Sequence, residues 1–321
     1  MERYVAGIDI GGTTVKMAVF TLEGDMVDKW EIPTDKTGGG EHIIRDIGAS
    51  MKKQLDSLGI PYEALQSAGV GAPGPVDVEN GLLFEAVNLG WKDRYPLRDL
   101  VKDALQIPTA IDNDANCAAL GEMWKGAGKG AGDLICITLG TGVGGGIIVN
   151  GDIVHGAKGA AGEIGHMTAV PEGGYLCNCG KTGCLETVAS ATGLVRMAMD
   201  NIKAWNGASF LKEKVEKAGV ISAKDVFEAA SMGDEPAAST IDQLALQLGL
   251  ALANAGSILN PEKIVLGGGV SKAGDLVLSP VKQYFRKFAF KPVGESTEIV
   301  VAELENDAGV TGAAWLAVNK I

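Results

Sequence analysis

Two stretches of the chain are written to one plan, YVAGIDI-GGTT-VKMAVF at 4–20 and LICITLG-TGVGG-GIIVN at 134–150. Each reads as an apolar strand, a glycine-rich turn and a second strand. A Gly-Asp turn (Gly24-Asp25, Gly151-Asp152) then leads to a third strand. A repeat at a spacing near half the chain implies two similar α/β halves, and no other feature narrows the fold as much. The 321 residues are enough for two domains. The 46 glycines and 5% aromatic content fit an α/β chain rich in tight turns. No linker or low-complexity segment separates the halves, so they are expected to share a cleft.

The segments between the repeats carry helical and strand patterns. Ile43, Ile44, Ile47, Met51 and Leu55 recur at helical spacing within 41–58, and LRDLVKDALQ is a short amphipathic helix. SAGVGAPGPV is a strand running into a Pro/Gly loop. TAIDNDANCAALGEMWKG is a strand that ends at Asn113-Asp114, two natural helix caps, and continues as a helix. Helices are predicted over 191–205, 223–232 and 235–258. IVLGGGVSKAG is a buried strand, a triple-glycine turn and a helix start. EIVVAEL is the last strand and AGVTGAAWLAVNK the last helix.

Charge and composition exclude several classes. The net charge of -12 and pI of about 4.8 argue against a nucleic-acid partner, which would want a basic face. An acidic chain that binds ATP must use backbone amides, helix ends and magnesium. The most apolar helical run, LALQLGLALANAGSIL, is too short for a membrane span and carries Gln247 and Asn254. With strand-like sequence from residue 4, neither a leader peptide nor an N-terminal DNA-binding domain is expected. An odd count of five cysteines fits a reducing cytosol, with Cys117 and Cys136 as core residues.

The remaining cysteines define the chemistry of one loop, EIGHMTAVPEGGYLCNCGKTGCLE at 163–186. His166, Cys177, Cys179 and Cys184 make a Cys₃His set suited to a closed, structural zinc site. Free thiols beside an unrelated histidine is the poorer account, because three of the five cysteines fall within eight residues. Zinc would pin Glu163 and Glu186, which bracket the loop. Positioned carboxylates accept strong hydrogen bonds from sugar hydroxyls. Two solvated loop acids would show the same spacing.

Familiar nucleotide motifs fail on context. The GxGxxG at Gly69/Gly71/Gly74 runs into Pro75, and the one at Gly140/Gly142/Gly145 precedes a strand where a helix is required. Gly180-Lys181-Thr182 lacks the P-loop glycine, since Tyr175 stands there. What remains is a glycine-rich turn in each half. Gly11, Gly12, Thr13 and Thr14 form one, and Gly140, Thr141 and Gly142 the other. Either alone could be an ordinary hairpin. As a pair, with Asp9 available to a hydrated magnesium, they read better as phosphate cradles. Gly268 and Gly269 form a third turn that could let adenine approach the backbone.

The set GIDIGGTT, GAPGPVD, DNDANCAALGE, LGTGVGGG, GEIGH, CNCGKTGCLE and IVLGGGVS resembles the sugar kinases of the ROK (repressor, open reading frame, kinase) family over almost the whole length. The resemblance implies the actin-like/hexokinase (ribonuclease H-like) two-domain α/β fold. Residues 1–113 with 307–321 would form the smaller domain, and 114–306 the larger one. It implies ATP-dependent phosphorylation of glucose at O6, with Asp114 as the base and Asn113, Glu163, His166 and Glu186 on sugar hydroxyls. Asp112 is the control for Asp114, and its Asn variant is expected to retain most activity. His166 would serve zinc with one nitrogen and sugar with the other. N-acetylmannosamine, another hexose, or polyphosphate as donor are the alternatives within the class, and a sugar-sensing repressor the one outside it. A cytoplasmic homodimer or homotetramer is the expected assembly.

Overall fold

The computed structural model describes residues 2–84, 86–92 and 94–321. β1 (Tyr4–Ile10), β2 (Thr14–Thr21) and β3 (Met26–Pro33) form an antiparallel meander in which Asp9 stands opposite Lys16. Helix α1 (Ile43–Leu58) leads to β4 (Leu65–Ala72), parallel to β1. The short hairpin of β5 (Val76–Asp77) and β6 (Leu82–Leu83) and helix α2 (Leu97–Leu105) lead to β7 (Thr109–Asn113), parallel to β4. Helix α3 (Asp114–Lys125) starts directly at the end of β7. The sheet order is β3-β2-β1-β4-β7. Burial explains the order. β1 and β4 are almost wholly buried, as strands covered on both faces must be, whereas β3 alternates between exposed and half-buried residues as an edge.

The second repeat builds the same pattern. β8 (Leu134–Leu139), β9 (Val143–Val149) and β10 (Asp152–Ile153) come first. Helices α4 (Glu186–Ala189), α5 (Ala191–Ala204), α6 (Phe210–Ala218), α7 (Ala223–Ser231) and α8 (Glu235–Leu259) follow. β11 (Lys263–Gly267), α9 (Asp275–Phe288), α10 (Lys291–Ser296), β12 (Glu298–Val301) and α11 (Ala308–Asn319) complete the chain. The strand order is β10-β9-β8-β11-β12, matching the first sheet position for position. β8, β11 and β12 run parallel. Among the described residues no helix is long and apolar enough to cross a membrane.

The chain folds into two compact units, Met1–Gly132 with Gly146–Gly162 and Leu304–Ile321, and Asp133–Gly145 with Glu163–Glu303. In the first unit, one face of the sheet packs Ile8, Met17 and Val70 against Ile47 and Met51 of α1 and Leu97 and Val101 of α2. On the other face Val5, Ala18 and Phe20 pack with Val310, Ala314 and Ala317 of α11.

Helix α3 stays with this unit because it lies backbone to backbone on α11. A Cβ at Gly312 would fall on the Cys117 carbonyl, and one at Gly121 on the Ala308 carbonyl. Gly312→Ala should gain about 1 kcal/mol of helix propensity. The clash is with backbone that cannot swing aside, and overpacking typically costs about 1–3 kcal/mol, with contacts this close at the upper end. The clash wins. The expected result is a clearly lowered thermal midpoint by calorimetry, and an unchanged or raised midpoint would mean that the two helices can separate freely.

Candidate active site

In the first unit the sheet register places the acids. Asp9 pairs with Gly71, and Gly71 with Asp112, so the three stand in one row near the C-terminal ends of parallel strands β1, β4 and β7. Open α/β sheets carry their ligands at that end. Asn113 is the N-cap of α3. Its Oδ1 accepts the Ala115 and Asn116 backbone N–H groups at 2.9 and 3.2 Å, and its Nδ2 donates to the Gly74 carbonyl at 3.0 Å. Asp114 is the first residue of the helix, with Oδ1 accepting the Ala115 N–H at 2.9 Å. The two acids of the DND motif therefore differ in role. Asp112 is 1% exposed and accepts from the Asn113 N–H at 2.7 Å and the Asn116 amide at 2.8 Å. Its other oxygen lies 2.7 Å from His155 Nε2.

The first glycine turn is closed by its own backbone and by Thr34. Gly11 N–H donates to the Thr14 carbonyl at 3.0 Å. The Thr34 hydroxyl donates to the Gly11 carbonyl at 2.7 Å, and the Thr34 N–H to the Thr13 carbonyl at 2.9 Å. Burial holds the Asp9 carboxyl above its ordinary range, with Lys16 opposing. Its carboxylate lies against Gly309 at the start of α11. Lys16 Nζ donates to the Asn306 carbonyl at 3.1 Å.

In the second unit the other two glycine turns adjoin. Gly140 N–H donates to the Gly142 carbonyl at 2.9 Å, and Val270 N–H donates to the Leu139 carbonyl at 3.1 Å. Gly268 has φ +86°, and a Cβ there would press on the Leu139 backbone, so only glycine lets the β11 turn lie this close to the end of β8. The Gly140 carbonyl accepts the Ala191 N–H at 2.8 Å, which ties this turn to the start of α5, capped by Ser190. Glu186 Oε2 accepts the Val143 N–H at 3.1 Å, and Oε1 lies 3.6 Å from the Cys177 thiol. Glu186 thus links the glycine turn to the cysteine loop, a structural tie that spacing alone did not reveal.

The four candidate ligands converge. The ligand atoms of His166, Cys177, Cys179 and Cys184 all lie within 4.8 Å of one another. Cys179 and Cys184 Sγ are 3.6 Å apart, and Cys177 Sγ is 3.6 Å from His166 Nδ1. Tetrahedral zinc with Zn–S near 2.3 Å would set sulfurs about 3.8 Å apart, so the donor set fits the ion. Burial pushes the Cys177 thiol up to about 12, while the Lys181 backbone N–H lowers Cys179. His166 Nε2, on the opposite side of the ring from Nδ1, lies 3.9 Å from Glu163 Oε2, and both side chains remain partly exposed.

Two sheets with one strand order, a capped acid at the end of β7 in one unit, and paired glycine turns beside a Cys₃His loop in the other unit define the actin-like sugar-kinase fold. The chain belongs to the ROK family, which it matches over residues 5–320. It is 52% identical to the glucokinase of Halalkalibacterium halodurans, over 98% of this chain and 95% of that one. The ROK family glucokinase of Streptomyces griseus, solved in complex with glucose and AMPPNP, aligns over 98% of this chain and 99% of that one with TM-score 0.78 and 38% identity. The ROK hexokinase of Thermus thermophilus aligns over 99% and 98% with TM-score 0.81 and 30% identity.

Proposed function

We propose that the chain transfers the γ-phosphoryl group of ATP to O6 of glucose. Asp114 takes the O6 proton, and Asn113 holds the turn that aims it while its side chain borders the sugar. His166, Glu163 and Glu186 read the remaining hydroxyls. The observation that carries the sugar assignment is the split of His166: Nδ1 joins the thiol cluster, which leaves Nε2 beside Glu163 as a polar pair. The full-length likeness to a glucokinase supports glucose among the hexoses. Zinc, held by His166, Cys177, Cys179 and Cys184, would fix the loop and take no part in the reaction.

Nucleotide phosphates would meet the amides of Gly12 and Thr13 and those of Thr141 and Gly142. Gly11 and Gly140 direct their own N–H groups into the turns. Gly268 and Gly269 border the adenine, and Thr14 opens β2 beside the first turn. Magnesium, when bound with ATP near Asp9, supplies neutralising charge on the phosphates. Phosphoryl transfer needs little beyond such positioning and charge stabilisation. A cluster of unbridged thiols suits a reducing, cytosolic setting.

The test is a coupled assay across glucose, mannose and N-acetylmannosamine with ATP or polyphosphate. Glucose with ATP is expected to give the highest kcat/KM. A preference for the N-acetyl sugar, or for polyphosphate, would refute that part of the assignment while leaving a sugar kinase.

A further inference from the structure

Asp112 is held by three donors from three directions. Asn113 N–H and the Asn116 amide bond one oxygen, and His155 Nε2 lies 2.7 Å from the other. Asn113 in turn caps α3 and reaches the Gly74 carbonyl. A continuous chain of hydrogen bonds therefore runs from His155, just beyond β10, through Asp112 into the turn that carries Asp114. We propose that His155 is a positioning residue for phosphoryl transfer: by bonding Asp112, it fixes the orientation of the Asn113–Asp114 turn. The proposal rests on Asp114 being the base, as assigned above.

The chemistry follows from burial. A carboxylate at 1% exposure cannot turn to water for a lost partner. Without His155, one Asp112 oxygen loses its partner, and rotation of the carboxylate to find another weakens its bonds to Asn113 and Asn116. Asp114 would then drift, and displacements of about 1 Å can cost as much as 10²-fold in rate.

His155 itself is 30% exposed in its side chain, so it exchanges protons with solvent. It lines a cavity of about 350 Å³ together with Arg98 of α2, Asp112 of β7, Asp152 of β10 and Lys320 beyond α11. Lys320 is engaged by Asp152 at 2.6 Å. Beyond Asp112, on α3, the Cys117 thiol is kept neutral by burial. The hydrogen bond to Asp112 holds the imidazole above its ordinary value against the opposing effect of burial. The Asp112 and Asp152 charges add to the rise, and Lys320 subtracts from it.

A raised histidine pKa fixes the sign. The ion pair is complete below about pH 6.5, the unfolded value, and is lost as pH rises through the higher folded value. Neutral imidazole keeps one N–H, so the alkaline loss is partial.

The test compares His155→Ala and His155→Gln across a pH series, with folded fraction measured by calorimetry. His155→Ala is expected to lower kcat by about tenfold per folded molecule, with a smaller change in KM. His155→Gln retains a donor and is expected to recover most of kcat while losing the alkaline limb of the wild-type profile. A merely structural role would lower the melting temperature and leave kcat per folded molecule and its pH profile unchanged, and that result overturns the proposal. Should His155→Ala fail to fold, an alkaline limb in His155→Gln identical to wild type overturns it equally. An inactive Asp114→Asn beside a normal His155→Ala sinks the positioning role alone. An active Asp114→Asn removes the base assignment beneath it.

Discussion

Asp114→Asn is expected to lower kcat with glucose by about 10²–10⁴-fold, the range contributed by a positioned general base, while glucose affinity changes little. A sugar hydroxyl is a poor nucleophile, and an amide cannot accept its proton. The amide does keep the size of the side chain and can still hydrogen-bond O6, so the ground-state complex survives. The rival account makes Asp114 a helix cap. The structure assigns that role to Asn113, whose Oδ1 accepts two backbone N–H groups of the first turn. Asp114 lies one residue inside the helix, where its Oδ1 accepts the Ala115 N–H, a bond that an Asn oxygen can keep, and its charge adds a dipole benefit of about 0.3–1 kcal/mol. Stability and rate should therefore separate: the melting temperature moves little and kcat collapses. The measurements are kcat by coupled assay, glucose affinity by calorimetry and the thermal midpoint of the same preparations. A near-normal kcat would remove Asp114 from the mechanism.

How much of this was legible from sequence depends on the distance over which each feature is encoded. The strands at 4–10, 15–20 and 26–32 and the helix after Asn113 are local patterns, and the structure places them within a residue or two. The identical order of the two sheets follows from the repeated strand–turn–strand units. Helices α6 and α10 were missed: the first is a short, lysine-rich amphipathic segment and the second only six residues.

The close α3–α11 approach was not readable, because it is made by glycines, which carry no hydrophobic signal. The Cys₃His cluster was readable because its ligands crowd into one loop. The Asp112–His155 bond was not, since it joins residues 43 apart through the placement of β7 and the segment after β10. The only available cue was a lone histidine, and there are three in the chain.

Removal of zinc is expected to loosen residues 163–186 and abolish glucose turnover. The loop has backbone support of its own. Cys177 N–H donates to the Lys181 carbonyl at 2.8 Å, Gly183 N–H to Tyr175 at 2.9 Å and Leu185 N–H to Met167 at 2.8 Å. Lys181 Nζ also donates to the His166 carbonyl at 2.8 Å. These bonds define a small hairpin, but such a hairpin is marginal alone in water. Ile164, Cys184 and Leu185 anchor its ends in the core, but its tips are unsupported: Leu176 is 69% exposed, and 171–173 and 178–182 are solvent-facing. A zinc ion held there would supply the constraint that orients His166 and, through it, the Glu163 pair, and its binding and the folding of the loop would be one equilibrium.

Elemental analysis should find about one zinc per chain. Chelation should open the loop to protease cleavage and to amide exchange between 163 and 186 while the first unit stays protected, and glucose binding by calorimetry should vanish with it. Restoring zinc should reverse both changes. Cys179→Ser, at the most exposed of the ligands, should reproduce them in part by weakening the site. Fully active protein that contains no metal, with the loop as protected as before, would show that the hairpin bonds suffice and that the four side chains meet for another reason.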